Sequence, residues 1–105
     1  MQTNNLLDFA LDKIDDMKAR DVITLDVRNT SNITDFMVVC SGNSKRQVQS
    51  IAQHLAKEAK EHDLDVIGME GQDIGEWVLV DLGDVVVHVM QDETRDFYQL
   101  EKLWG

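Results

Sequence analysis

Valine recurs at every second position on both sides of a Leu82-Gly83-Asp84 segment, with Val78 and Val80 before it and Val85, Val87 and Val89 after it. A period of two is the pattern of a β-strand whose faces meet different surroundings. Two such runs around a Gly-Asp pair predict a β-hairpin, with strands Glu76 to Leu82 and Val85 to Met90. With Leu82-Gly83 or Gly83-Asp84 as a two-residue turn, pairing gathers the five valines on one face. The opposite face then carries Trp77, Leu79, Asp81, Val86, His88 and Met90. The valine face must be covered by helices. The other mixes aromatic, Met, carboxylate and imidazole groups, which suits either a partner-binding surface or a second layer of helices with His88 satisfied by a neighbour.

The rest of the chain supplies the cover. Leu7, Ala10, Leu11, Ile14 and Met17 recur at helical spacing and predict an amphipathic helix over residues 5 to 19. Val22 to Val27 and Ile33 to Cys40 read as strands separated by a polar turn, Asn29 to Asn32. Ser44 with Gln47 three residues on forms a capping-box pattern that opens a second helix with apolar positions Val48, Ile51, Ala52, Leu55 and Ala59. Asp65 to Met69 is a third strand. Asp92 can cap a last helix reaching about Trp104, on which Phe97, Leu100 and Trp104 share a stripe and Tyr98 falls off it. The order α-β-β-α-β-β-β-α predicts an α/β fold, a single mixed β-sheet of about five strands flanked by helices.

Composition bounds the function. Residues 1–105 make one ordinary domain, and 43% hydrophobic content suffices for a core. The net charge of −10 repels phosphate, so neither direct nucleic-acid binding nor an anionic membrane is expected, and a large charged partner should be basic. One cysteine, Cys40, excludes an internal disulfide and fits a reducing compartment. No span of about 20 apolar residues is present and Met1 to Asn5 does not begin a signal peptide, so a cytoplasmic location is expected.

Catalytic patterns are incomplete. Ser41, Ser44 and Cys40 stand at a strand-to-helix corner without nucleophile-elbow spacing. The Ser-Gly-Asn-Ser loop could hold an anion on helix amides but lacks the P-loop pattern. His54, Glu58 and His62 fall along one helix, where their directions spread by roughly 80° and a solvated face explains them better than a metal. Asp81 and Asp84 flank Gly83 and could hold Mg²⁺ for nucleotidyl or phosphoryl transfer, although Asp and Gly belong in a turn for backbone reasons alone.

Several segments together resemble a known family. Ile33-Thr34-Asp35, Ser41-Gly42-Asn43-Ser44, Glu70-Gly71, the block from Trp77 to Val89 and Tyr98-Gln99-Leu100-Glu101-Lys102-Leu103-Trp104 are similar, in this order, to the ribosomal silencing factor family, also called Iojap-like. Phe36 stands where that family frequently has Tyr, and Asn43 where it frequently has Thr. The resemblance implies an α/β domain distantly similar to nucleotidyltransferases without their complete catalytic signature. It implies a protein that performs no reaction and uses no cofactor or metal. Its partner would be the fourteenth protein of the large ribosomal subunit, at the intersubunit face. Occupying that face would block joining of the small subunit and hold translation down when nutrients are short. Carried over by position, the resemblance implies Trp77, Asp81, Leu82 and Tyr98 as the binding residues. A homodimer through the Trp77 face is the further alternative for the free chain.

Overall fold

A computed structural model describes residues 2–104, apart from the side chains of residues 3 and 104. The chain order is α1 (Thr3–Asp16), β1 (Arg20–Asp26), β2 (Phe36–Gly42), α2 (Lys45–Glu61), β3 (Gly68–Glu70), β4 (Trp77–Asp81), β5 (Val85–Gln91), α3 (Asp92–Tyr98) and α4 (Leu100–Trp104). The strands form one sheet in the order β1-β2-β5-β4-β3. β2 and β5 run parallel at its centre, and the other pairs are antiparallel. The mixed sheet expected from the pattern is therefore present, with α2 as the crossover that carries the chain from β2 to the far edge.

The hairpin forms in the predicted register. Val78 faces Val89 and Val80 faces Val87, while Trp77, Leu79 and Asp81 stand opposite Met90, His88 and Val86. Of the two turns allowed by the sequence, Gly83-Asp84 is the one formed, closed by the Leu82 N–H donating to the Val85 carbonyl at 2.9 Å. Gly83 takes φ +91° there, a conformation open to glycine at little cost.

α1 and α2 lie across the valine face. Leu6, Ala10 and Ile14 from α1 meet Val48, Ile51, Leu55 and Ala59 from α2 over Phe36, Val38, Cys40 and the five valines. Ser44 caps α2 as expected, its Oγ accepting from the Gln47 N–H at 3.1 Å. The reciprocal bond goes one residue earlier than the pattern implies, from the Asn43 N–H to Gln47 Oε1.

Several boundaries differ from expectation. β2 starts three residues late, because Ser31 Oγ accepts from the main-chain N–H groups of Ile33 and Thr34 and holds them in a loop. Ile33, apolar but 87% exposed, belongs to that loop. β3 is shorter and later than Asp65 to Met69. The last helix is two helices: Gln99 adopts φ 51°, ψ 52° and breaks it after Tyr98. Asp92 is the first residue of α3 rather than its cap, and its carboxylate binds Arg20 at 2.8 Å. The break also dissolves the expected stripe, since Leu100 is buried while Phe97 is 80% exposed. The side chain of Trp104 lies outside the described residues.

Candidate binding face

The second face of the sheet is half covered. Val27, Met37, Val39, Met90 and Leu100 make a small core of their own there, with Leu25 and Trp77 packed against it. What holds α3 and α4 over this end is Arg95. Its guanidinium is buried, donating to Ser41 Oγ at 2.8 Å and to Glu101 Oε1 at 2.7 Å. Burial alone would raise the Glu101 carboxyl, but main-chain and Arg95 hydrogen bonds hold it below the usual carboxylate range. So anchored, α3 delivers Tyr98 onto Trp77.

Trp77 opens β4 and is half-buried. Its ring centre lies 4.9 Å from that of Tyr98, which in turn lies 5.0 Å from Phe97 in an edge-on arrangement. On the inner side Trp77 Nε1–H donates to His88 Nδ1 at 2.9 Å. The result is a row of four rings, His88, Trp77, Tyr98 and Phe97, that passes from buried to solvent. Offset and edge contacts of this kind add about 0.5–1.5 kcal/mol per pair beyond the area they bury. A helix packed on the valine face could not read this row; a partner arriving at the open face would meet it first.

His88 is 5% exposed, and burial pushes its imidazole down to about 4, so the ring is neutral at physiological pH. Because Nδ1 accepts from Trp77, the ring proton of the neutral form is on Nε2. Among the described residues, that Nε2 is buried without a hydrogen-bond partner. An orphaned donor of this kind costs about 1–3 kcal/mol. His88 is thus satisfied by a neighbour at one nitrogen and unsatisfied at the other. Over its ring runs a groove of about 260 Å³ walled by Val27, Met37, Leu79, Val86 and Leu100, with Ile33 also lining it.

The four residues expected to bind do not all converge. Trp77 and Tyr98 touch. Asp81 shares their face but lies four residues along the strand, roughly 13 Å away at 3.3 Å per residue. Its Oδ1 accepts from the Gly83 N–H at 2.8 Å, so one carboxylate oxygen already serves the turn. Leu82 lies apart from the pair. It is buried among α1, α2 and the valines, on the opposite side of the sheet from Trp77. Phe97 is the residue sequence reasoning missed, because the break at Gln99 has no proline or glycine to announce it.

The residues weighed for catalysis or metal binding lie as follows. Cys40 is fully buried, and burial, offset in part by Arg95, pushes its thiol up to about 12. His54 pairs with Asp16, Glu58 with Lys13, and His62 Nδ1 with the Glu58 carbonyl, so the three point to separate partners. Among the described residues no cluster of three His, Cys, Asp or Glu side chains could hold a metal, and no helix is long and apolar enough to cross a membrane.

Comparison with known proteins gives one consistent picture. The model of a family described as ribosomal silencing factor during starvation matches residues 1–105. The ribosomal silencing factor RsfS of Halalkalibacterium halodurans is 47% identical over 105 residues, covering 100% of this chain and 90% of its own. A crystal structure of a Chromobacterium violaceum protein superposes with a TM-score of 0.98 at 42% identity, covering 100% of this chain and 88% of that one. A mouse protein named for mitochondrial assembly of the ribosomal large subunit is 37% identical over 89 residues, 82% of this chain and 39% of that protein.

Proposed function

The chain belongs to the ribosomal silencing factor family, and from that premise we propose that it binds the large ribosomal subunit through its fourteenth protein and blocks joining of the small subunit. The observation that carries this reading is the half-open aromatic pair of Trp77 and Tyr98, presented on the sheet face that α1 and α2 leave bare. The name of the mouse relative ties that protein to the large subunit, which supports the same subunit here.

The mechanism requires no bond to be made or broken. A body seated where the small subunit must land excludes it by volume, and the only demand is affinity. Desolvated aromatic anchors supply it, each costing about 2 kcal/mol or more on truncation. Asp81 retains one carboxylate oxygen for a Lys or Arg of a basic protein at the far end of the face. The net charge of −10 speeds encounter with such a protein and disfavours the RNA around it. The repressive effect on translation under nutrient limitation would follow from the loss of joined ribosomes.

The purified chain should sediment with isolated large subunits and lower the yield of joined ribosomes when small subunits are added. Trp77→Ala combined with Tyr98→Ala should remove both effects. A double variant that is folded and retains both would show the site to be elsewhere. Light scattering over a range of concentrations tests the competing occupant of the face, a second copy of the chain.

A further inference from the structure

We propose that the groove over His88 receives an uncharged hydrogen-bond acceptor of the protein partner, a carbonyl flanked by aliphatic side chains, and that the Nε2–H of His88 is the group that selects it; this rests on the ribosomal reading above and deepens it.

Three observations lead there. First, the Trp77 indole fixes the tautomer. With its N–H donated to Nδ1, His88 has a proton on Nε2 and can only donate from that edge. Second, that donor is unused. Ser31 and Thr34, the other polar side chains lining the groove, each already hold bonds within the chain: Ser31 Oγ accepts from the Ile33 and Thr34 N–H groups, and Thr34 Oγ1 donates to the Phe36 carbonyl. Among the described residues His88 Nε2 has no partner. Third, the walls are mostly apolar, and Ile33, lining the same groove, stands 87% exposed, so an occupant would cover it.

The chemistry of the occupant follows. A neutral donor between aliphatic walls offers no counter-charge to a phosphate or carboxylate, and the chain's net charge of −10 repels both. It rewards a main-chain carbonyl, or an Asn or Gln amide oxygen, carried by an apolar segment of a basic protein. Trp77 therefore has two tasks. One face of its ring is an anchor with Tyr98, and its N–H sets the proton on His88, so the aromatic row and the groove form one site. Among the described residues nothing bonds Nε2, so an acceptor that reaches it as the groove opens gains a bond without displacing an existing one.

Two substitutions separate the donor from the ring's packing. His88→Asn can keep an acceptor at the Nδ1 position for Trp77 but has nothing at Nε2; His88→Gln places an N–H near the Nε2 position. With isolated large ribosomal subunits as the probe, His88→Asn should weaken binding at least tenfold, and His88→Gln should recover most of that loss. On the wild-type chain, long-range ¹H–¹⁵N spectra should show the Nε2–H tautomer when free and a downfield-shifted Nε2 proton when subunits are added. Unchanged affinity of folded His88→Asn, or an Nδ1–H tautomer in the free chain, would overturn the proposal while leaving the ribosomal reading intact. A wild-type chain that does not bind large subunits overturns both. Equal binding to protein-free large-subunit RNA, equally weakened by His88→Asn, overturns the choice of a protein as occupant. The wild-type spectra decide the matter even if His88→Asn does not fold.

Discussion

One hairpin presents two faces that obey different rules. On the side of α1 and α2 every buried residue of the core cluster is aliphatic apart from Phe36 and Cys40, and the layer is closed. On the other side the same strands present an indole, an imidazole, a carboxylate and a groove, and the cover stops short. The difference teaches where the free energy goes. The closed face contributes burial at about 25 cal/mol per Å², which is non-directional and tolerates any well-fitting hydrocarbon. The open face keeps a buried donor unsatisfied and leaves Phe97 and Tyr98 in solvent, features that weaken a free chain and strengthen a bound one. On the proposed reading, stability and function are divided between two sides of one sheet.

The sharpest way to break that division is to damage the closed face. Leu55 is fully buried between α2 and the sheet. Leu55→Ala should cost about 3–4 kcal/mol in urea unfolding, yet the fraction still folded should bind large subunits with wild-type affinity. Affinity per folded molecule that falls with stability would show the two faces to be coupled. The converse variant is Trp77→Ala. It should cost about 2 kcal/mol or more of binding and a smaller amount of stability, part of it from the His88 Nδ1 left without its donor.

The pH dependence sharpens the comparison, because only the open face carries a buried imidazole among the described residues. His88 is depressed to about 4 by burial, while an unfolded histidine titrates near 6.5. The unfolded chain therefore takes up the proton first. The contribution of His88 is fully present above about pH 6.5, declines as pH falls toward 4, and is exhausted below it. Between pH 7 and pH 5 it amounts to about 2 kcal/mol. Unfolding free energies measured at the two values should show that loss in the wild type. His88→Asn, whatever its own stability, should have a flatter slope by the same amount.

These outcomes rest on features of unequal visibility in the sequence. The closed face was legible in its valines, whose alternation identifies it; the burial of Leu82 was not, since the resemblance pointed to Leu82 as a contact residue. The pairing of Trp77 with Tyr98 was legible only through the resemblance, because the two belong to different elements and no periodicity links them. The orphaned Nε2 of His88 was not legible, since a tautomer depends on which neighbour arrives at Nδ1. Nor was the division of the last helix. Gln99 carries no conformational signal of its own, and the left-handed turn there is imposed from outside, by Leu100 packing beneath and by Arg95 gripping Glu101. Local propensity yields to tertiary contact at such points.

The smallest effect tests whether the closed face can be strengthened without touching the open one. α1 and α2 both end in left-handed residues that are not glycine, Lys18 at φ 61° and Asp63 at φ 59°. Each is followed by an N–H that reaches back five residues, Ala19 to the Ile14 carbonyl and Leu64 to the Ala59 carbonyl, which is the Schellman arrangement. A β-carbon in that conformation is strained, and glycine relieves the strain while adding freedom to the unfolded chain. The first effect is the larger, so Lys18→Gly and Asp63→Gly should each stabilise by about 0.5–1 kcal/mol. The sites are at the ends of separate helices, so the gains should add within about 0.5 kcal/mol. Binding to large subunits should not change, because neither residue belongs to the aromatic row or the groove. A double variant that gains stability but loses affinity would mean that the open face depends on strain held in the helices behind it, and the separation of the two faces would fail.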